Sequence, residues 1–550
     1  MGGGFGGKET RSVFVSCAVA LAAHLTGRPV RIALDRDVDM HITGQRHAFT
    51  ATYKAAAFPD GRLAALDVTL YNNIGCSLDL SGAVMDRALF HVDNCCKWPA
   101  MRCRGFLAMT HQSSHTAFRG FGAPQGMLIC EAALDHLAAE LGMPLEALRN
   151  RNMYVEGDLT HFGMPIDRWN VPAALRELEE SGALAERRAA VVTFNKEHRW
   201  RKRGLAVMPS KFGISFTAKF MNQGGALVHL YTDGTVLVSH GGTEMGQGLH
   251  TKVVQVAARS FGISEDDVHI AETSTDKVPN SSPTAASMST DLYGMATLDA
   301  CEQIKERLRP VAEKMPGADL RAVAQAAHMQ RVNLSAQGFY CVPTERCGYD
   351  WGISVAQNAE RGQPFNYFTQ GAAASEVEID VLTGDVRVLR ADIVMDVGNS
   401  INPALDIGQI EGAFVQGYGW CTMEEVIWGD GQHKWVRPGQ LLTRGPGAYK
   451  IPAFNDVPSD MRVRLMRGVD NPFAVHSSKA IGEPPFYLAT SAFFAIKEAV
   501  RAARVDAGVG AGHFEFYAPA TSERVRTACA DVIMRRMTGN NLQFQPRGSW

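Results

Sequence analysis

Apolar and polar positions recur along this chain with two different periods, and together they predict a mixture of helices and strands. Apolar residues three or four positions apart predict helices at Thr10 to Leu25, Gly126 to Leu141, Thr297 to Met315 and Leu488 to Ala503. Runs rich in β-branched residues predict a strand at Arg62 to Tyr71 and strand pairs within 226–239 and 376–397. Glycine turns, Asp233-Gly234 and Leu382 to Asp385, separate the strands of each pair.

A charged stretch near the middle of the chain suggests how these elements are grouped. Residues 156–205 are rich in Arg, Lys and Glu, and we interpret them as a helical linker. Residues 1–155 would then form part of a first lobe, and residues 206–550 a second lobe. Since each lobe would contain both strands and helices, the sequence predicts the α+β class.

Composition narrows the classes of function. Of the 550 residues, 46% are hydrophobic and 20% are charged, as in ordinary globular proteins, and the net charge is −2. This balance gives no reason to expect nucleic acid or a membrane as partner. Eleven cysteines are scattered without a Cys-x-x-Cys pair, so the sequence predicts reduced thiols in a cytoplasmic protein and no side-chain metal site.

The first candidate site is a glycine-rich loop at the very start, Gly2-Gly-Gly-Phe-Gly-Gly7-Lys8-Glu9. Such loops hold phosphates or cofactors through backbone N–H groups. A nucleotide P-loop fits the spacing of Gly2, Gly7 and Lys8 but would need Ser or Thr where Glu9 stands. A purely structural turn is the other alternative. Because this loop needs support on both sides, we expect the chain to be a truncated piece of a longer polypeptide or a subunit with a partner.

Four further loops share this combination of small residues and a few fixed polar or aromatic groups. They are 118–124 (FRGFGAP), 241–248 (GGTEMGQG), 280–290 (NSSPTAASMST) and 482–485 (GEPP). Any one of them alone would be an ordinary turn. Five such loops in one chain predict one extended polar ligand, and the lack of His/Cys clusters suggests that the ligand, not the side chains, carries any metal.

These motifs closely resemble the molybdenum-binding part of xanthine dehydrogenases and oxidases. The resemblance also includes 86–90 (DRALF), 211–217 (KFGISFT), 406–417 (DIGQIEGAFVQG) and 479–485 (KAIGEPP), and it extends from residue 1 to about residue 535. It implies a two-lobed molybdopterin-binding fold and a molybdenum-molybdopterin cofactor. The positions that match cofactor-binding residues are Gly4, Phe5, Gly6, Arg119, Met245, Gly246, Gln247, Ala286, Ser287, Gln409 and Gly482.

The resemblance implies hydroxylation of purines, hypoxanthine to xanthine and xanthine to uric acid. Water would supply the oxygen, and hydride would pass to a sulfido ligand of the metal. Glu483 matches the family's catalytic base, which must reach the proton it removes. From the residues alone, Glu483 could instead satisfy the dipole of the helix that follows it.

Five positions match the family's purine-binding residues. Glu9 and Arg87 would hold the polar edges of the ring, where Arg87 can stabilise developing negative charge. Phe121 and Phe216 would enclose the ring, with Thr217 beside it. Aldehyde oxidases of the same fold usually lack both charged residues, so the pair favours a purine over an aldehyde or another N-heterocycle. The ordinary alternatives are that Arg87 is a surface charge and that Phe121 and Phe216 pack in the hydrophobic core.

The resemblance also implies parts that this sequence does not contain. The [2Fe-2S] clusters and FAD are expected on missing parts or on a partner subunit, and the complete enzyme is expected to be a homodimer. A non-catalytic subunit that only holds the cofactor remains the alternative from another class, and in that case Glu483 would be dispensable.

Overall fold

The computed structural model describes residues 2–351, 362–431 and 433–538. The strands are β1 (Phe49–Ala57), β2 (Leu63–Gly75), β3 (Ala100–Met109), β4 (Arg201–Ile214), β5 (Gln223–Leu230), β6 (Val236–His240), β7 (Val268–Ile270), β8 (Ser335–Cys341), β9 (Tyr367–Asp380), β10 (Val386–Asp396) and β11 (Asp460–Leu465). They form three sheets, in the orders β1-β2-β3, β11-β10-β9-β4 and β7-β6-β5-β8.

Helices cover these sheets. They are α1 (Gly7–Thr10), α2 (Ser12–Thr26), α3 (Arg36–Thr43), α4 (Ser81–His91), α5 (Ala123–Leu141), α6 (Leu145–Arg151), α7 (Val171–Ser181), α8 (Leu184–Glu197), α9 (Leu249–Phe261), α10 (Ser289–Ala312), α11 (Leu320–Met329), α12 (Pro403–Thr422), α13 (Thr490–Asp506), α14 (Ser522–Ala528) and α15 (Val532–Thr538). This confirms the α+β class. In the part of the chain that the structure describes, no helix is both long and apolar enough to cross a membrane.

The central sheet, β11-β10-β9-β4, forms the middle layer of the largest core. Strand β9 is buried along almost its whole length and pairs antiparallel with both neighbours. Helix α13 packs against β4 and β9, with Ala495 and Ala499 in the main core cluster. Helix α7 contributes Ala174 and Leu178 to a separate cluster with Val207 of β4. The two clusters pack the sheet between helices, a standard layered arrangement.

Several predicted elements are confirmed. Helix α2 ends at Gly27 and α5 ends at Gly142, each glycine in the left-handed conformation that terminates helices at low cost. Strand β2 covers the predicted strand, and β5/β6 and β9/β10 are the two predicted strand pairs. In these elements the local pattern and the tertiary environment agree.

Some boundaries differ from the predictions. Helix α5 begins at Ala123 rather than Gly126, and helix α10 begins at Ser289 rather than Thr297. The first turn of α10 includes the buried Asp291, whose carboxylate accepts from the Tyr367 hydroxyl at 2.7 Å. The last predicted helix begins as a 3₁₀ turn, Pro484–Ala489, before α13. Arg201, Lys202 and Arg203 lie in β4 rather than in a helix. Helices α7 and α8 of the charged stretch pack onto the central sheet, and the division at 1–155, 156–205 and 206–550 stays a prediction.

Candidate active site

Glu483 lies directly before the 3₁₀ turn, where Pro484 and Pro485 restrict the backbone. Its Oε1 accepts a hydrogen bond from the Gly120 N–H at 3.1 Å, and its Oε2 accepts one from the Ser287 hydroxyl at 2.9 Å. The Glu483 N–H donates to the same Ser287 Oγ at 3.0 Å. The carboxylate is therefore half-buried and held at a fixed position by two other loops.

Arg119 joins three distant segments beside this carboxylate. Its Nε donates to the carbonyl oxygen of Gly482, and its Nη2 donates to both the carbonyl and the side-chain oxygen of Gln409, each at 3.1 Å. Its Nη1 reaches Gln416 Oε1 at 3.4 Å. Burial lowers the pKa of Arg119 to about 10, opposed by the negative charge of Glu483. The guanidinium stays charged at neutral pH.

Arg46 was not among the predicted site residues, yet this side chain connects the loops of Arg119 and Glu483. Its guanidinium lies 4.5 Å from the ring centres of both Phe118 and Phe486, within cation–π distance. Its Nη2 donates to the Arg119 carbonyl oxygen at 2.8 Å. Arg46 belongs to no motif, and the long sequence separation of these partners left no local signal.

Glu9 lies on α1, half-buried. Burial, followed by the charges of Glu483 and Asp79, raises its pKa from the ordinary 4.5 to about 7. The first and last motifs of the chain therefore meet at one place. Asp79 also fixes the end of α1, because it accepts from the Thr10 hydroxyl at 2.9 Å and from the Thr116 hydroxyl at 2.5 Å. The sequence analysis missed Asp79.

Arg87 lies on α4 with only 2% of its surface exposed. Its Nη1 donates to the Gly213 carbonyl oxygen at 3.0 Å, and its Nη2 donates to that of Ser215. The guanidinium carbon is 5.2 and 5.3 Å from the ring centres of Phe212 and Phe365. Burial lowers the pKa of Arg87, and the charge of Glu483 opposes this. Arg87 is therefore a fixed cation on the same side as the two carboxylates.

The residues predicted to contact the purine ring are half-buried, and they are Phe121, Phe216 and Thr217. Phe121 has a left-handed backbone, with φ of 52°, and its N–H donates to the Phe118 carbonyl oxygen at 2.8 Å. The Phe216 N–H and carbonyl oxygen both bond to the Asn222 side chain, each at 2.9 Å. Thr217 comes next in the chain. Their contacts with a substrate stay a prediction.

All five loops meet at this place. A side chain at Gly4 would come within 2.7 Å of the Met245 sulfur, and one at Gly6 within 1.6 Å of the Ala117 carbonyl oxygen. Glycine is therefore required at Gly6, which approaches the backbone before Arg119, whereas Gly4 faces the flexible end of the Met245 side chain. Phe5 is 63% exposed, and its ring centre lies 6.4 Å from that of Phe118.

The 241–248 loop is held by its own side chains. The Glu244 carboxylate accepts from the N–H groups of Gly246, Gly248 and His250 at 2.8 to 3.0 Å. The Gln247 side chain bonds the Met245 N–H at 2.6 Å and the Thr243 carbonyl oxygen at 2.9 Å. Beyond Gly246, whose φ is +98°, an added Cβ would meet nothing within 4 Å. The loop is thus rigid and open on its outer side.

The loop that contains Ala286 and Ser287 is strained. Both residues adopt left-handed backbones, with φ of 54° and 58°, a conformation that costs free energy in residues other than glycine. The Ser287 bonds to Glu483 help to maintain it. Consecutive residues held in this conformation are typical of ligand-binding sites.

A cavity of about 2030 Å³ is lined in part by residues of these loops, whereas Glu9, Arg87 and Glu483 do not line it. Its wall includes Gly4, Phe5, Arg46, Phe118, Arg119 and Gln416. The Nη1 of Arg46 is buried and has no hydrogen-bond partner among the described residues. Within 2–351, 362–431 and 433–538, no cluster of three or more His, Cys, Asp or Glu side chains could hold a metal ion.

These features fit a bound polar cofactor: five loops meet, a buried cation and two side-chain amides face one another, and an open space adjoins Gly246. Comparison with protein families agrees. One molybdopterin cofactor-binding domain model matches residues 1–153 and a second matches residues 177–458. The chain belongs to the molybdopterin cofactor-binding domain family.

Among individual relatives, xanthine dehydrogenase of Oryza sativa subsp. japonica is 52% identical over 550 residues. Xanthine dehydrogenase 1 of Arabidopsis thaliana is 54% identical over 546 residues, and xanthine dehydrogenase/oxidase of Rattus norvegicus is 53% identical over 532. These matches cover 100%, 99% and 96% of this chain, and 39% of the length of each relative.

Solved structures share the fold. The aldehyde oxidoreductase from Desulfovibrio desulfuricans ATCC 27774 superposes with a TM-score of 0.79 at 24% identity, over 96% of this chain and 54% of that one. Quinoline 2-oxidoreductase from Pseudomonas putida 86 superposes with a TM-score of 0.81 at 23% identity, over 96% and 68%. At this identity the likeness concerns the fold alone.

Proposed function

We propose that this chain forms the molybdenum site of an enzyme that hydroxylates purines, converting hypoxanthine to xanthine and xanthine to uric acid. The observation that carries the proposal is that the fixed carboxylate of Glu483 lies close enough for its charge to act on both Glu9 and Arg87. The xanthine dehydrogenases that match about half of its positions support the same substrate class.

The cofactor would lie along the five loops. One side of the cofactor would be held by Gly4, Phe5 and Gly6, and another side by Arg119, Gln409 and Gly482. The remaining contacts would come from the loops of Met245 to Gln247 and Ala286 to Ser287. When bound, molybdenum-molybdopterin supplies a redox-active metal that accepts two electrons from the substrate. Arg119 and Gln409 present fixed polar groups to it, since their positions are set by hydrogen bonds with each other.

Glu483 acts as general base. Its carboxylate accepts a proton from the water-derived oxygen nucleophile, and the hydrogen bonds from Gly120 and Ser287 fix the direction of its oxygens. The substrate loses its hydrogen with two electrons, as hydride. In the complete enzyme, iron–sulfur clusters and FAD held outside residues 1–550 would supply the onward path for these electrons.

Arg87 and Glu9 orient the purine. Among the described residues, the Arg87 guanidinium donates to two carbonyl oxygens, and its further N–H groups could donate to a ring oxygen that gains negative charge. Glu9 is mainly protonated below its pKa of about 7, so it can donate to an acceptor on the opposite edge of the ring. Phe121 and Phe216 would pack on the ring, with Thr217 beside it.

The alternative within the fold is oxidation of an aldehyde or another N-heterocycle, which this pair disfavours because an apolar ring would leave the Arg87 cation and the polar Glu9 carboxyl without hydrogen-bond partners. A non-catalytic, cofactor-holding role would not need a held carboxylate at position 483. Each of the eleven cysteines is free, which supports a cytoplasmic location.

The test is turnover by the molybdenum-loaded holoenzyme. Urate formation from xanthine is compared with benzoate formation from benzaldehyde under the same conditions. We expect kcat/KM for xanthine to exceed that for benzaldehyde at least tenfold. Turnover of benzaldehyde without turnover of xanthine would contradict the proposed substrate, and no turnover of either would favour the non-catalytic role.

A further inference from the structure

His91 is a fully buried histidine, 0% exposed, at the end of α4 and one helical turn after Arg87. Its Nδ1 lies 2.8 Å from the Arg87 carbonyl oxygen, and its Nε2 lies 2.9 Å from the Gly213 N–H. A carbonyl oxygen can only accept and a backbone N–H can only donate. The two partners therefore require a neutral ring with the proton on Nδ1 and the lone pair on Nε2.

The environment maintains this state. Burial, followed by the positive charges of Arg87 and Lys211, holds the pKa of His91 well below its ordinary range. The ring also packs at 5.0 and 5.1 Å from the centres of Phe212 and Phe365. These are the aromatic rings that flank the Arg87 guanidinium.

Both backbone polar groups of Gly213 form hydrogen bonds with side chains of α4. Its N–H donates to His91, and its carbonyl oxygen accepts from Arg87 at 3.0 Å. A side chain here would come within 2.3 Å of the Phe365 ring, so the close approach requires glycine. Three residues later the same strand end reaches Phe216.

We infer that His91 is a positioning residue for substrate recognition: by bonding the Gly213 N–H and the Arg87 carbonyl oxygen, it fixes the Arg87 guanidinium and the strand end leading to Phe216. The inference rests on the proposed function, because it acts through residues proposed to touch the purine. His91 itself contacts no substrate. Its effect should appear in purine affinity and not in the chemistry of other substrates.

The experiment replaces His91 in the molybdenum-loaded holoenzyme with Phe, which keeps a ring but removes both hydrogen bonds. His91→Asn is the second variant, in case the first fails to fold, and His269→Phe, at an exposed histidine, is the control. We expect KM for xanthine to rise at least tenfold, with kcat for benzaldehyde and molybdenum content within twofold of the parent. Hydrogen exchange should show lost protection at the Gly213 amide.

A double-mutant cycle with Arg87→Met separates this role from general packing. If His91 acts through Arg87 as well as through the strand end, the loss that His91→Phe causes in xanthine kinetics should be smaller in the Arg87→Met background than in the parent. Additive losses, equal losses on both substrates, or an unchanged KM in an active parent would overturn the inference alone. A loaded parent with no xanthine turnover would overturn the proposed function, and this inference with it.

Discussion

Ser287 and Glu483 form a closed pair of hydrogen bonds, in which the Ser287 hydroxyl donates to the Glu483 carboxylate at 2.9 Å and accepts from its N–H at 3.0 Å. The two residues are 196 positions apart in the chain. This pair fixes the position of the proposed base relative to the strained 286–287 backbone, and it stabilises the left-handed conformation of Ser287.

Replacing Glu483 with Gln should abolish hydroxylation while the metal content stays normal. The amide keeps the shape of the side chain but cannot take up a proton, so we expect kcat/KM for xanthine to fall by at least ~10²–10⁴-fold. Steady-state kinetics and molybdenum analysis provide the measurement. Glu186→Gln, at an exposed position of α8, is the matched control. A fully loaded Glu483→Gln enzyme within tenfold of the parent would eliminate Glu483 as the base.

Replacing both Glu9 and Arg87 with apolar residues, as in Glu9→Val with Arg87→Met, should shift specificity from purines toward aldehydes. The lost charge-assisted hydrogen bond from Arg87 should cost about 1.5–3 kcal/mol of transition-state stabilisation, and the lost bond from the protonated Glu9 carboxyl about 0.5–1.5 kcal/mol. Kinetics with xanthine and benzaldehyde measure the change. We expect xanthine turnover to fall sharply while benzaldehyde turnover is kept or raised, and equal losses would indicate a structural role for the pair.

The raised pKa of Glu9 predicts that α1 becomes less stable as pH rises. Its folded-state pKa of about 7 lies above the ordinary 4.5, so the folded state binds more protons between these values. Stability is therefore greatest below about pH 5 and is lost as pH rises toward 7, by at most about 3 kcal/mol. Hydrogen exchange in residues 4–11, corrected for intrinsic rates, should show this fall. In Glu9→Gln the pH dependence should disappear, and its persistence would assign the effect to another group.

Replacing Glu244 with Ala should loosen the 241–248 loop and reduce cofactor binding, because three backbone N–H groups lose their acceptor. Hydrogen bonds from these groups lower the pKa of Glu244, although burial opposes this. At any pH above its ordinary pKa, the Glu244 carboxylate is ionised and keeps these hydrogen bonds. The bonds are lost only when acid protonates the carboxylate. We expect molybdenum content at neutral pH to fall severalfold relative to the parent and to Glu313→Ala, an exposed control on the segment after α10. Full metal content in Glu244→Ala would show that the loop holds without it.

Helix α2 should make the isolated 550-residue chain self-associate. It buries none of its residues, and Val13, Phe14, Leu21 and Leu25 are 53 to 75% exposed. We expect the isolated chain to aggregate and to bind little molybdopterin. Leu21→Glu combined with Leu25→Lys should reduce light scattering, whereas Leu382→Lys, at an exposed turn, should not. A parent chain that stays monomeric with near-stoichiometric molybdenum would contradict this.

The sequence by itself determined several of the elements and supplied the predicted site residues. The spacing of apolar residues and the terminal glycines were sufficient to predict α2 and α5, and the turn residues were sufficient to predict the β5/β6 and β9/β10 pairs. These features depend only on neighbours in the chain. The loop motifs indicated a cofactor because small residues and fixed polar groups have local signatures. Their resemblance to a known family supplied the roles of Glu9, Arg87 and Glu483.

Only the tertiary structure decided how these residues act together. Arg46 lies between the rings of Phe118 and Phe486, Asp79 bonds two threonines from different segments, and His91 bonds Gly213 of β4. None of these contacts could be predicted from a periodic pattern in the sequence, because each joins residues that are brought close by the packing of separate elements. The raised pKa of Glu9 has the same origin, because burial and the charges of Glu483 and Asp79 exist only in the folded chain.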